Sequence, residues 1–415
     1  MKRSVPLGSV HGTLTPPCSK SYAQRALALS LLSEGVTTLR NIEFCQDTRS
    51  ALACIRSLGA HVEELDASTL RIEGGLRPLD LRLQVGESGL ASRLFTPIAA
   101  MWNHPIRIEG SGSLLQRPMQ MMIEPLRRLG AEVTDTLGRL PFEVCGPLRG
   151  GEIEVDGSIS SQFITGLLLA LPLAAEDTTL HVDRAVSTPY LDMTIDTAAR
   201  FGVEIFHKEY RDFFIPGGQH YTAQELSIEG DWSAAAMLLV AGAVAGEVRV
   251  ENISTLSKQA DTAILDALTR AGAYVEVEPN AVTAAKRELH GFEFDATNCP
   301  DLFPALAALA AVADGETTLY GTSRLVHKES NRAEAIREEY AKIGIEVDIE
   351  EEDVMHITGG AIHAAQVESH NDHRMAMSLA VAGLCSDGVM EIDGAESVSK
   401  SYPDFFEDLE QIRVK

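Results

Sequence analysis

Six short polar stretches, each placed directly before a run of apolar residues, hold most of the side chains that could do chemistry. They are Ser19-Lys20-Ser21 with Arg25; Gly86-Glu87-Ser88-Gly89 with Arg93; Gly157-Ser158-Ile159-Ser160-Ser161-Gln162; Glu229-Gly230-Asp231; Pro300-Asp301; and His370-Asn371-Asp372-His373-Arg374. Further cations stand beside strand-to-helix turns: Arg117 in Gln116-Arg117-Pro118, Lys328 and Arg332 in the run 327–332, and Lys400 in Ser399-Lys400-Ser401. A hydroxyl at such a junction caps a helix, while the open N–H groups and the dipole of the helix attract an anion. Lys20, Arg25, Arg117, Lys328, Arg332, Arg374 and Lys400 add full charges to those ends. The chemistry this asks for is recognition of phosphate and carboxylate, and of more than one such group. One Ser-Lys-Ser triplet is an ordinary cap; the repetition of polar openings is what points to a ligand.

A repeat positions these stretches. Gly35-Val36-Thr37-Thr38-Leu39 returns as Asp177-Thr178-Thr179-Leu180, Gly246-Glu247-Val248-Arg249-Val250, Gly315-Glu316-Thr317-Thr318-Leu319 and Gly388-Val389-Met390-Glu391-Ile392, with His104-Pro105-Ile106-Arg107-Ile108 a degraded copy. Each reads as a β-type run that follows an apolar helix. A second helix then ends at a glycine suited to the C′ position, Gly59, Gly130, Gly202, Gly272 and Gly344 in turn. Their spacing of about 70 residues exceeds solenoid periods and predicts duplicated βαβ-type units, not a stacked array. The helices that open the units are predicted over 25–33, 90–101, 163–170, 233–245, 302–312 and 374–384. They are apolar nearly all round, which marks buried helices walled by other elements. The fold class is therefore α/β, with helices inside each three-unit group and sheets outside: a two-domain inverted α/β barrel. Counting units places one domain at 19–229 and the other at 1–18 with 230–415, the N-terminal residues returning as a closing strand.

Composition narrows the function. The net charge is −25, from 35 Lys and Arg against 60 Asp and Glu, which argues against a nucleic-acid or anionic-membrane partner. An acidic chain that handles anions must gather its few cations at one place. The most apolar helix, around Ala305 to Ala313, is too short to span a bilayer, and no basic-then-apolar leader opens the sequence. Cytoplasmic residence is expected. The six cysteines are scattered without a C-x-x-C pair, so reduced thiols and no metal site are expected.

Read together, Pro17-Cys18-Ser19-Lys20-Ser21 with Arg25, Asp156 to Gln162, Val186-Ser187-Thr188-Pro189-Tyr190, Lys328-Glu329-Ser330-Asn331-Arg332, Asn371-Asp372-His373-Arg374 and Lys400-Ser401-Tyr402-Pro403-Asp404 resemble the 3-phosphoshikimate 1-carboxyvinyltransferase (EPSP synthase) family, in order along the chain. The resemblance implies two domains of three βαβαββ repeats each, hinged to close on substrates. It implies transfer of the enolpyruvyl group of phosphoenolpyruvate to shikimate 3-phosphate, in chorismate and aromatic amino acid biosynthesis, by a monomer with no metal or organic cofactor. It also implies site residues. Lys20, Ser21, Arg25, Ser160, Ser161, Gln162, Ser187, Tyr190, Asp301 and Lys328 would hold shikimate 3-phosphate. Lys20, Gly89, Arg117, Gln162, Arg332, Arg374 and Lys400 would hold phosphoenolpyruvate. Lys20, Asp301, Glu329 and His373 would serve catalysis: Asp301 for the hydroxyl proton, Glu329 or Lys20 for the methylene carbon, His373 in support.

The chain departs from the family where Gly86-Glu87-Ser88-Gly89-Leu90 replaces the usual Gly-Asn-Ala-Gly-Thr, and Leu94 the usual proline. A carboxylate at Glu87 would repel an anionic substrate unless it is paired. Two alternatives differ in class. The UDP-N-acetylglucosamine enolpyruvyl transferases share fold and donor but usually carry a loop cysteine, absent from Gln116-Arg117-Pro118-Met119. A non-catalytic anion-binding scaffold would not need Lys20, Asp301 and Glu329 together.

Overall fold

The apolar runs fold as the helices Lys20–Leu32, Gly89–Ala99, Ser161–Ala170, Trp232–Ala245, Phe303–Ala311 and His373–Gly383. These come from a computed structural model that describes residues 1–326 and 328–414, the Thr136 side chain excepted; His327 lies outside the described residues. Alanine, leucine and methionine are strong helix formers, and here they leave almost no polar face. In Trp232–Ala245 every residue except Ser233 is buried. Each such helix must be covered on all sides, and sheets do the covering.

The chain divides into two compact units, Cys18–Ile228 and Met1–Pro17 with Glu229–Lys415. Each four-stranded sheet repeats one pattern: one strand runs parallel to a second, and an antiparallel pair completes the sheet. In Cys18–Ile228, for example, Gly151–Asp156 lies parallel to Thr178–Asp183, with Gly151 opposite Thr178 and Asp156 opposite Asp183. Asp212–Ile215 then pairs antiparallel with Thr178–Asp183, and Phe206–Lys208 with Asp212–Ile215. Alternation sets the faces: Thr178, Leu180 and Val182 point to the buried helices while the residues between them face outward.

Each unit borrows strands from distant sequence. In Cys18–Ile228 the short strand Glu225–Ser227 runs parallel to Val36–Arg40. In the other unit the N-terminal segment supplies two strands. Lys2–Pro6 pairs antiparallel with Val389–Asp393, and Val10–Leu14 runs parallel to Gly246–Glu251.

The second helices end as their glycines predict. Gly59, Gly130, Gly202, Gly272 and Gly344 all have positive φ, between 86° and 113°. The residue after each donates its N–H to a carbonyl five positions back, as Ala60 does to Ile55 at 2.9 Å and Ile345 to Tyr340 at 3.0 Å. This left-handed cap releases the chain into the next strand.

Five of the six buried helices start within two residues of the sequence reading, and the first starts five earlier. The first buried helix begins at Lys20, not Arg25, and Ser19 is its cap, accepting from the Tyr22 amide at 3.4 Å. Lys20 and Ser21 are thus its first helical residues, not a loop.

Candidate functional site

Five of the six buried helices open on a side-chain cap, the residues being Ser19, Ser88, Ser160, Asp231 and Asp372. The sixth, Phe303–Ala311, is entered through a 3₁₀ turn over Pro300–Leu302 that carries Asp301. The polar openings therefore mark helix N-termini, and the charged residues gather around them.

In the unit Cys18–Ile228, two helices approach closely because Gly166 has no side chain: a Cβ there would lie 2.5 Å from the Arg93 carbonyl oxygen. That approach sets Arg93 Nη1 2.7 Å from Gln162 Oε1, while Arg93 Nη2 donates to the Pro118 carbonyl at 3.2 Å. Gly89 faces the same spot. A Cβ on it would meet Arg117 Nη1 at 2.8 Å, Arg93 Nη1 at 3.3 Å and Gln162 Oε1 at 3.4 Å. Gly89, Arg93, Arg117 and Gln162 thus form one cluster at a helix N-terminus, a cradle of N–H donors suited to an anion. Ser160 holds Gln162 in place by accepting its amide at 3.2 Å.

The helix Ser161–Ala170 also reaches Arg25. This guanidinium is about 1% exposed and donates to Thr194 Oγ1 at 2.9 Å, Thr165 Oγ1 at 3.2 Å, the Tyr190 carbonyl at 3.0 Å and the Ser21 carbonyl at 2.9 Å. All four acceptors are neutral. Burial pulls its pKa down to about 10 against smaller opposing contributions from Tyr22 and Tyr190. Ser187, in the left-handed region at φ +53°, accepts from the Tyr190 amide at 3.1 Å and starts the helix that carries Tyr190 and Thr194. Lys20 pairs with Asp47 at 3.0 Å, both side chains being 15% exposed. The Glu87 carboxylate accepts from the Ser113 amide at 3.3 Å and hydroxyl at 3.1 Å.

In the other unit the charges interlock. Arg332, wholly buried, donates to Asp372 Oδ2 at 2.7 Å through Nε, to Asp301 Oδ1 at 2.6 Å through Nη1 and to Glu329 Oε2 at 2.6 Å through Nη2. Asp301 also receives Lys328 at 3.2 Å and Arg374 at 3.2 Å. Asp372 caps its helix through the Arg374 amide at 3.0 Å and accepts the Ser330 hydroxyl at 3.1 Å. His373 is buried with Nδ1 3.7 Å from Asp372, and Lys400 donates to the Asn371 carbonyl at 2.8 Å. The loop bearing these groups is strained at His370 and Asn371, with φ of +53° and +54°. Buried Glu339 pins it, 2.6 Å from His370 Nε2 and accepting the Glu368 amide at 2.9 Å.

The electrostatics follow from this geometry. Burial alone would raise the Asp301 carboxyl, but Arg374, Lys328 and Arg332 outweigh it and hold Asp301 well below the usual carboxylate range. Burial lowers Lys328. It would lower Arg332 too, but Asp372, Glu329 and Asp301 push that group well above its ordinary value. Behind them Asp261, accepting the Ser233 hydroxyl, is raised to about 7 by burial and by the Asp301 charge.

The residues singled out in the sequence fall into sets. Asp301, Lys328, Glu329, Arg332 and Arg374 make one network, with His373 and Lys400 against its loop. Gly89, Arg117 and Gln162 make a second, and Arg25 and Tyr190 a third, with Ser21 joining it through its carbonyl. Sequence reasoning gave no role to Asp372 or Arg93 and did not single out Asp47, Thr165 or Thr194. Asp372 and Arg93 stood inside stretches already marked and were readable as a cap and a helix-opening cation. Nothing local marks Asp47, Thr165 or Thr194.

Residues 6–409 match the family model described as EPSP synthase (3-phosphoshikimate 1-carboxyvinyltransferase). Relatives named 3-phosphoshikimate 1-carboxyvinyltransferase include one from Thermococcus kodakarensis, 39% identical over 98% of both chains. Another, from Clostridium novyi, is 36% identical over 97% of this chain and 95% of its own length. Among solved structures, an EPSP synthase from Acinetobacter baumannii superposes with a TM-score of 0.85 at 26% identity, over 100% of this chain and 98% of the other. The enolpyruvyl transferase NikO from Streptomyces tendae shares the fold, with a TM-score of 0.78 at 17% identity over 99% of this chain and 96% of the other. With six repeated units, capped helix N-termini and a family match over nearly its whole length, the chain belongs to the EPSP synthase (3-phosphoshikimate 1-carboxyvinyltransferase) family.

Proposed function

We propose that this protein transfers the enolpyruvyl group of phosphoenolpyruvate to the 5-hydroxyl of shikimate 3-phosphate, releasing phosphate by addition and elimination. The observation that carries the reading is Asp301, a carboxylate held ionised by Arg332, Arg374 and Lys328 beside Glu329. In this reading Ser21, Arg25, Ser160, Ser161, Gln162, Ser187, Tyr190, Asp301 and Lys328 hold shikimate 3-phosphate. Gly89, Arg117, Gln162, Arg332, Arg374 and Lys400 take phosphoenolpyruvate, and Lys20 serves both. The acceptor hydroxyl adds to the enol-ether carbon while the methylene is protonated, and the tetrahedral adduct then loses a proton and phosphate. Asp301 receives the hydroxyl proton; Glu329 or Lys20 serves the methylene, and His373 supports them.

A carboxylate so strongly stabilised is a weak base by itself. Anionic substrates correct this by drawing Arg374, Arg332 and Lys328 toward themselves. As those cations turn away, the proton affinity of Asp301 rises, so the base strengthens when the substrates arrive. The same reading takes the enzyme as a cytoplasmic monomer that needs no metal or organic cofactor, with domains at 1–18 plus 230–415 and at 19–229.

The test is phosphate release from phosphoenolpyruvate with shikimate 3-phosphate, run beside UDP-N-acetylglucosamine. Turnover with shikimate 3-phosphate alone is expected; turnover only with the sugar nucleotide, or with neither, overturns the reading. Lys20→Ala is expected to abolish turnover while far-UV circular dichroism stays unchanged.

A further inference from the structure

Glu87 has no place in the assignments above, yet it joins two loops that each bring a group to the same anion cradle. It belongs to the loop that opens the helix Gly89–Ala99, and its carboxylate crosses to the 3₁₀ turn Gly112–Gln116. There it accepts from Ser113 twice, at 3.3 Å from the amide and 3.1 Å from the hydroxyl. The Ser111 amide reinforces the junction by donating to the Gly86 carbonyl at 2.8 Å. Gly112 makes room. Its φ is +53°, and a Cβ on it would stand 2.3 Å from the Glu87 carboxyl carbon, so the carboxylate fills a notch that only glycine leaves open. The fastened turn runs straight into Arg117, whose amide donates back to the Leu114 carbonyl at 3.1 Å. Arg117 Nη1 in turn lies 2.8 Å from where a Cβ of Gly89 would be. Both ends of the cradle therefore ride on segments that one carboxylate holds together.

We infer that Glu87 is a positioning residue: it sets the spacing of Gly89 and Arg117, and through that spacing the affinity for the anionic donor. The inference rests on the reading of Gly89 and Arg117 as phosphoenolpyruvate-binding groups. Two hydrogen bonds from Ser113 turn the Glu87 carboxylate onto the turn and fix where its charge sits beside the cradle. A misplaced guanidinium costs much of its value to a bound anion, because the bond depends on position and direction.

The experiment compares the full-length enzyme with Glu87→Ala, Glu87→Gln and Gly112→Ala. Glu87→Ala is expected to raise KM for phosphoenolpyruvate roughly tenfold and to leave KM for shikimate 3-phosphate unchanged. Glu87→Gln keeps an oxygen that accepts the same two bonds and is expected to recover most of the loss. Gly112→Ala fills the notch and is expected to repeat the Glu87→Ala result. Amide exchange at Ser113 and Leu114 gives a readout free of turnover: faster in Glu87→Ala, near wild type in Glu87→Gln. An unchanged or lowered KM for phosphoenolpyruvate, or an equal rise in both Michaelis constants, overturns the inference. Should the wild type turn over neither substrate, the functional reading fails, and unaltered exchange in Glu87→Ala would then overturn the strut on its own.

Discussion

Arg25 and Arg332 are the same residue type, buried to the same degree, and the protein treats them in opposite ways. Arg25, in the unit Cys18–Ile228, faces two hydroxyls and two carbonyls, and its pKa falls to about 10. Arg332, in the other unit, faces Asp372, Asp301 and Glu329, and its pKa climbs well above the ordinary value. Neutral partners fix a guanidinium without cancelling its charge, so Arg25 still needs an anion, and the protein carries that cost until one binds. Carboxylate partners cancel the charge. Before any anion arrives, Arg332 is the group that orients Asp372, Asp301 and Glu329. One unit surrounds its buried guanidinium with neutral acceptors, the other with carboxylates.

The contrast breaks first at Arg332. Arg332→Ala leaves Asp372, fully buried, with the Ser330 hydroxyl, the Arg374 amide and His373 at 3.7 Å, and takes from Glu329 and Asp301 a 2.6 Å bond each. The expected loss is about 3–5 kcal/mol in urea unfolding, the usual result of leaving a buried charge unpaired. A loss below about 1 kcal/mol would mean that the network contributes little to stability.

The next effect is smaller and carries a sign. Asp261 is raised to about 7 by burial and by Asp301, with Asp231 adding to the shift while Arg374 and Ser233 oppose it. A raised carboxyl contributes stability that is fully present below its unfolded pKa near 4 and is lost as pH rises through 7. Asp261→Asn removes that loss. Its stability relative to wild type is therefore expected to grow by about 1–3 kcal/mol between pH 4 and pH 8, read from urea midpoints at each pH. Parallel curves for the two proteins would show that Asp261 does not carry this pH dependence.

How much of this was legible depended on how local the cause was. The buried helices and the five C′ glycines follow from runs of a dozen residues and could be read directly. The start of the first helix could not. Ser19 and Ser21 are equally good caps, and only the structure shows that Lys20 lies inside the helical turn. Asp301, Lys328 and Arg332 stood out because acid and base occur in recognisable strings, whereas the partners of Arg25 did not. Thr194 lies 169 residues from Arg25 in sequence, and a threonine in an apolar helix looks like any half-buried polar residue. The charge of Glu87 could be read, but its fit against Gly112 and Ser113 could not, since their own sequence says only that a turn occurs there.

The smallest expected effect on stability is the one that separates the two arginines most cleanly. Arg25→Met keeps the length of the side chain and leaves no charge behind. The Tyr190 carbonyl still accepts the Thr194 hydroxyl at 2.7 Å, and Thr165 and Thr194 remain within 3.1 Å of each other. Losing the guanidinium also removes its desolvation cost, so the two changes nearly offset and stability should stay within about 1 kcal/mol of wild type. Function should not stay. If Arg25 is held uncompensated in order to meet a phosphate, KM for shikimate 3-phosphate should rise about 10- to 100-fold, the value of a charge-assisted pair worth ~1.5–3 kcal/mol. A variant that loses several kcal/mol of stability while keeping its Michaelis constant would reverse the assignment, making Arg25 a structural clamp and leaving the attraction of the anion to Lys20, Arg93 and Arg117.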